Sequence, residues 1–189
     1  MMNEKLLTYL NIRHDPKAVE AARPLWKKAR ALARVHTWNR QLPVRDFFNE
    51  FDPFANRSVH ITRLLENTDH VELLAASIGR GVEEEARRLI QENRPFQGYI
   101  LNRMGSWLVE REIRKMDRKI KESARQRGCS ATHRYSPGYM DFSIHAQEVF
   151  IKLIGPAIPC LSLTPEGLIL PEKTVTALKG IEPPEGPDR

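Results

Sequence analysis

Cysteine is scarce in this chain: Cys129 and Cys160 stand far apart and are the only two. That excludes a disulfide framework and, with no His or Cys at ligand spacing beside them, a zinc site. Both thiols are expected to be free and without metal, which fits a reducing cytoplasm. Long apolar runs are missing too: the most apolar stretch, Val71–Ile78, is interrupted by Glu72 and falls far short of a bilayer span. The N-terminus (MMNEKLLTYLN) carries an early acid and no apolar segment with a small-residue cleavage site, so no secretory signal is expected. There is no low-complexity tract, no repeat at solenoid spacing, and no GxSxG elbow, Walker loop or HExxH. The histidines (His14, His36, His60, His70, His133, His145) lack metal-ligand spacing and read as surface or satisfied core residues.

What is present suits a globular protein. At 189 residues, 41% hydrophobic and 29% charged, the chain can fill one core, with room for a smaller subdomain. The net charge of +6 invites a nucleic-acid reading. The most basic stretch, EREIRKMDRKIKESARQRG, interleaves its Lys and Arg with Glu112, Asp117 and Glu122 at helical spacing, the pattern of a solvated face with intrahelical pairs. Aromatic platforms and a nucleic-acid fold signature are absent, so nucleic acid is the weaker reading.

Asp15-Pro16 predicts a helix start, a capping oxygen followed by proline at the first helical position. Val19, Ala22, Leu25, Trp26, Ala29, Leu32 and Val35 then mark one helical face, which Pro24 should kink or split. Residues 41–57 read as an irregular, partly buried connection, and Val59–Leu65 as a short strand or turn of helix. VELLAASIG followed by GVEEEARRLIQE predicts strand, tight turn, helix. Gly79-Arg80-Gly81 reads as a structural turn, because Glu83, Glu84 and Glu85 would repel a phosphate there. A long helix is expected from Gly98 to Arg127, on Leu101, Met104, Leu108, Ile113, Met116 and Ile120, with Gly128 as its stop. Ser143 should cap a short helix ended by Gly155-Pro156. IPCLSLT and GLILP predict a hairpin turning through Thr164–Gly167, and KTVTALKG a last strand before a loose tail.

The stretch without periodicity, ATHRYSPGYMDF, carries the chemistry. Arg134 offers a planar fork that grips a carboxylate in two places. Pro137 fixes the backbone, Gly138 lets a flat ligand approach the main chain, and Tyr139 adds a ring and a hydroxyl. The set suits an amino-acid-bearing nucleoside; a buried loop with an aromatic anchor is the alternative.

Arg134-x-x-x-Gly138-Tyr139 resembles the motif with which the reactivation domain of cobalamin-dependent methionine synthase contacts S-adenosylmethionine. The longer RYSPGYMDFSIHAQEVFIKLIG is similar to the small stand-alone members of that family, whose RYSPGYGD is followed by a Gln-containing helix. SLTPEGLILPEKTVTALKG is similar to the family's LTES-x-x-x-x-P-x-x-SVS segment; ELLAASIGRGVEEE and the helix around Met104-Gly105-Ser106 also resemble it. The likeness covers nearly the whole chain and is most specific over 134–180. Met140 stands where Gly is usual, and Thr164-Pro165-Glu166 replaces Thr-Glu-Ser. Aligned without gaps, an acidic ligand contact of the full enzyme falls on Ser106, with Glu110 one turn on; its N-terminal Asp contact is not placed by the alignment, and its C-terminal Tyr contact lies beyond the convincing match.

The resemblance implies an α+β fold, a bent antiparallel sheet with helices packed on it. It divides the chain into a mainly helical part (1–70), a ligand-binding core (71–182) and the tail (183–189). It implies S-adenosylmethionine at Arg134, Ser136, Pro137, Gly138 and Tyr139, with Glu110 beside them. It also implies a reaction without catalytic side chains: an oxidised, inactive corrinoid takes an electron from a flavodoxin-like or ferredoxin-like donor, then a methyl group from S-adenosylmethionine. No DxHxxG loop is present, so the cobalamin must arrive on a corrinoid protein or a truncated methionine synthase. A sensory binding module of the same fold and a basic nucleic-acid-binding protein are the alternatives.

Overall fold

A computed structural model describes residues 2–184; most of the expected loose tail lies outside them. The N-terminal segment forms α1 (Glu4–Tyr9), capped by the Asn3 side chain, and α2 (Pro16–Leu32), capped by Asp15, whose Oδ1 accepts from the Lys17 and Ala18 amides at 3.0 Å each. The helix runs through Pro24 as one element, burying Ala22, Leu25, Trp26 and Ala29. The helical face does not reach Val35, which is half exposed. The chain turns instead into strand β1 (His36–Pro43) and then α3 (Val44–Glu50), so much of the expected irregular connection over 41–57 is regular. The strand has little apolar alternation of its own and forms by antiparallel pairing with β2 (His70–Ser77), from His36 opposite Ser77 to Pro43 opposite His70.

Between them, Val59–Leu64 is a turn of helix, α4, with Ser58 accepting from the Ile61 amide. The strand-turn-helix expected after Val71 is present as β2 and α5 (Gly81–Gln91), and the long helix as α6 (Pro95–Gln126), which starts on a proline and stops before Gly128 at φ +75°. A short strand β3 (Ser130–Ala131) follows, then the motif loop, a single 3₁₀ turn capped by Ser143, and α7 (Gln147–Ile154). The expected hairpin is β4 (Ser162–Leu163) with β5 (Ile169–Leu170), and the last strand is β6 (Thr174–Glu182).

The main sheet has the order β1-β2-β6-β3, with each neighbouring pair antiparallel. Its two central strands are buried on both faces, so alternate residues feed two cores. Leu74, Ala76 and Ala177 pack under α1, α2, α5 and α6. Val71, Leu73, Ala75 and Leu178 pack against α3, α4 and α7, where Phe47, Phe51, Phe142 and Phe150 are fully enclosed. Truncating one such Phe to Ala costs about 3–5 kcal/mol. This is the α+β, antiparallel-sheet architecture that was expected, with the 1–70 stretch supplying four helices and an edge strand to it. Among the described residues, no helix is long and apolar enough to cross a membrane.

Candidate functional site

After β3 the chain stays beside β6 for one more residue pair: Tyr135 and Leu178 exchange backbone hydrogen bonds of 2.9 and 2.7 Å. The Tyr135 ring joins the α3–α4–α7 core, and its neighbour Arg134 reaches α6. The loop then leaves the sheet and folds on itself. The Gly138 amide donates to the Phe142 carbonyl at 2.8 Å, and the Phe142 amide to the Tyr139 carbonyl at 3.0 Å. Gly138 sits at φ +90°, a conformation side chains rarely adopt, and an added Cβ would meet Ile144 Cδ1 at 2.9 Å. Met140, where the resembling proteins have Gly, also takes a positive φ, +48°. Pro137 and Phe142 are buried and anchor the loop, while Tyr139 and Met140 project to solvent, 66% and 75% exposed.

Of the residues singled out in the sequence, Arg134 and Glu110 meet. Arg134 Nη2 donates to both Glu110 oxygens, at 3.0 and 3.3 Å, and Arg114 Nε donates to Glu110 Oε1 at 2.8 Å. Arg134 Nη1 is buried and has no hydrogen-bond partner among the described residues. Leaving a charged donor unsatisfied is costly, and this one is closed to solvent, so an acceptor reaches it only if the side chain shifts. The pair lines a cleft of about 380 Å³ with Arg114, Asp117 and Arg118 of α6; Ser136, Pro137, Gly138 and Tyr139 are not among the residues that line it. Ser106 does not join them; its hydroxyl points back to the Asn102 carbonyl of its own helix at 3.4 Å. The Ser136 hydroxyl makes no hydrogen bond among the described residues, and Pro137 presents no open face.

Three polar contacts in and around the loop were not read from residue spacing in the sequence. Asp141 ends the motif and clamps α4: its carboxylate accepts from the Ser58 hydroxyl and the Val59 amide at 2.7 Å each, and from the His60 amide at 3.3 Å. These bonds, that from Ser58 first, hold its carboxyl below the usual range. Gln147 accepts from the buried Thr176 hydroxyl at 2.6 Å, tying α7 to β6. Lys179 of β6, fully buried, reaches Asp117 of α6 at 2.8 Å, on the floor beside the cleft. Burial pushes the Lys179 ammonium down more than Asp117 restores it. Burial also works to raise Asp117, but Lys179, then Lys121, overcome this and hold it low. A short Asp beside a turn signalled the first of these; nothing local signalled the other two.

The rest of the basic helix is paired much as its interleaving predicted: Arg111 and Lys115 with Glu112, Arg114 with Glu110, Lys121 with Asp117. Glu83, in the first turn of α5, accepts from the Glu172 amide at 2.8 Å, so the Gly79–Gly81 turn has a structural use. Cys129 and Cys160 are free, and no group of His, Cys, Asp and Glu among the described residues could hold a metal ion.

No protein-family model matches the chain, and no curated protein matches it either. Among solved structures it is similar to one described as the crystal structure of the MetH reactivation domain bound to AdoHcy. The identity is 15% and the TM-score 0.53, over 93% of this chain and 70% of that one. At that identity the likeness speaks for architecture alone: the chain has the fold of the MetH reactivation domain.

Proposed function

We propose that this chain binds S-adenosylmethionine at the Arg134–Tyr139 loop and supports reductive remethylation of a corrinoid carried by another protein. That partner would be a methionine synthase or a related corrinoid methyltransferase. The observation that carries the reading is Arg134 itself. The first residue of Arg-x-x-x-Gly-Tyr lines a cleft beside Glu110, its Nη1 buried and unpaired among the described residues, in a fold whose solved counterpart was described with AdoHcy bound. The motif's likeness to the small stand-alone reactivation proteins supports the same assignment.

The residues present fit such a ligand. Arg134 supplies donors for the aminoacyl carboxylate, and Glu110 beside it complements the ligand's ammonium and sulfonium charges. Gly138 keeps the turn free of a side chain, and the exposed Tyr139 ring offers a flat face to a base. Asp141, by clamping the loop to α4, keeps these groups in place before ligand arrives. S-adenosylmethionine, when bound, supplies an electrophilic methyl group. The chain contributes binding and orientation, which accords with the lack of a catalytic motif. The corrinoid and its electron donor, flavodoxin-like or ferredoxin-like, belong to separate proteins in this reading.

The test adds a corrinoid protein and a reductant to the chain with methyl-labelled S-adenosylmethionine and follows label into the corrinoid. Transfer that depends on this chain supports the proposal. Ligand binding without transfer would reduce it to a binding or sensory module, and no binding at all would refute it.

A further inference from the structure

Strand β2 carries one acid into the interior. Val71, Leu73 and Ala75 face the phenylalanine core, so alternation turns Glu72, with Leu74 and Ala76, to the face covered by α6. Glu72 is only 8% exposed, and its Oε2 is buried with no hydrogen-bond partner among the described residues. The cation placed to balance it is Lys179, directly opposite on β6, but Lys179 is turned to Asp117 at 2.8 Å. Asn39 of β1 stands beside the carboxyl and draws it down, yet burial outweighs this and raises it. An acid enclosed without a partner is costly in the empty protein.

Glu72 borders open volume. A cavity of about 330 Å³ lies between α6 and the β1 side of the sheet, with Glu72 and Asn39 on one wall and Met116, Lys119, Ile120 and Arg127 on the other. None of these residues lines the Arg134 cleft. Lys119 and Arg127 have no acidic side chain within ion-pair distance among the described residues. The Arg127 charge is felt at Glu72, where it favours the carboxylate, but the two stay beyond ion-pair distance on opposite walls of the cavity. Met116 and Ile120, both partly buried, add an apolar surface. An acid on one wall and free cations on the other complement a small molecule that carries both charges and an apolar group.

We propose that this cavity is a binding site for a free amino acid with an apolar side chain. Its ammonium is taken by Glu72, its carboxylate by Arg127 with Lys119, and its side chain lies along Met116 and Ile120. The volume is ample for a molecule of that size. The site does not rest on the S-adenosylmethionine reading.

The probe is L-leucine, with isoamylamine and isocaproate as the half-ligands, the first lacking the carboxylate and the second the ammonium. Calorimetry on the full chain measures affinity. Leucine should bind, and each half-ligand should be roughly tenfold weaker or more. Glu72→Gln keeps the side chain's shape, removes its charge and relieves the burial cost, so it should fold and yet weaken leucine roughly tenfold or more. Arg127→Ala, a change at an exposed helix end that leaves the core intact, should weaken it severalfold. Arg134→Ala should bind leucine as the parent does, which separates this cavity from the aminoacyl end of the S-adenosylmethionine site. Four results would overturn the proposal: no binding at millimolar leucine, either half-ligand binding as tightly as leucine, unchanged affinity in Glu72→Gln, or loss of leucine binding in Arg134→Ala.

Discussion

Asp117→Asn is the sharpest structural perturbation available, because it strands a charge rather than merely trimming a contact. The Lys179 side chain is fully buried in the central strand, and among the described residues its ammonium has one carboxylate within ion-pair distance, Asp117 Oδ1 at 2.8 Å. Removing one partner of a buried pair costs about 3–5 kcal/mol, since the other is left uncompensated. A ceiling applies: Lys179 can shed its proton, and neutralising a lysine at pH 7 costs about 5 kcal/mol. A loss of about 3–5 kcal/mol is therefore expected in urea denaturation at pH 7. The sign of its pH dependence follows from the lysine. With its folded pKa depressed, the neutral form is favoured in the fold, so stability is gained as pH rises toward the unfolded lysine value. The gap between variant and parent should narrow from pH 7 to pH 9.5. Lys179→Met in the Asp117→Asn background should recover most of the loss, because no buried charge remains. A loss below about 1 kcal/mol, or one independent of pH, would refute the reasoning.

The remaining predictions probe the sheet and the loop. Glu72 is buried in β2, where desolvation raises its carboxyl despite Asn39 and nearby cations. A raised folded pKa stabilises below the unfolded value and is lost as pH rises, so Glu72→Gln should stabilise at pH 7 by denaturation, with an advantage that fades toward pH 4. Asp141→Ala should leave the melting of the core sheet largely unchanged while increasing amide exchange over Val59–Leu64 and the motif loop together; protection unchanged in both would show that the clamp is unimportant.

Much of this fold was legible because the chain marks its own boundaries. Asp15-Pro16, Gly128 and Ser143 set helix ends, and the apolar spacing from Leu101 to Ile113 set the buried face of α6. Strand β1 was not legible. His36–Pro43 is mostly exposed, with only Leu42 fully buried, so its strand character comes from the hydrogen bonds of β2 and not from its own pattern. The candidate site divides in the same way. Arg134, Gly138 and Tyr139 declare themselves by residue type and spacing. The Arg134–Glu110 contact joins residues 24 apart, and Asp141 reaches Ser58 across 83. Such contacts are set by how the sheet and helices close. The buried Lys179 was hidden for another reason: in KTVTALKG it reads as a solvent-facing residue, and only a central strand covered on both faces encloses it.

The central claim is that Arg134 holds the carboxylate of S-adenosylmethionine, and calorimetric titration of the parent, Arg134→Ala and Arg134→Lys tests it directly. A charge-assisted, two-point contact contributes about 1.5–3 kcal/mol, hence roughly a ten- to hundredfold change in affinity. The account predicts that S-adenosylmethionine binds the parent, that Ala weakens it by that factor with the fold intact by circular dichroism, and that Lys restores only part, lacking the planar fork. No binding to the parent, or equal affinity in parent and Ala variant, would contradict it.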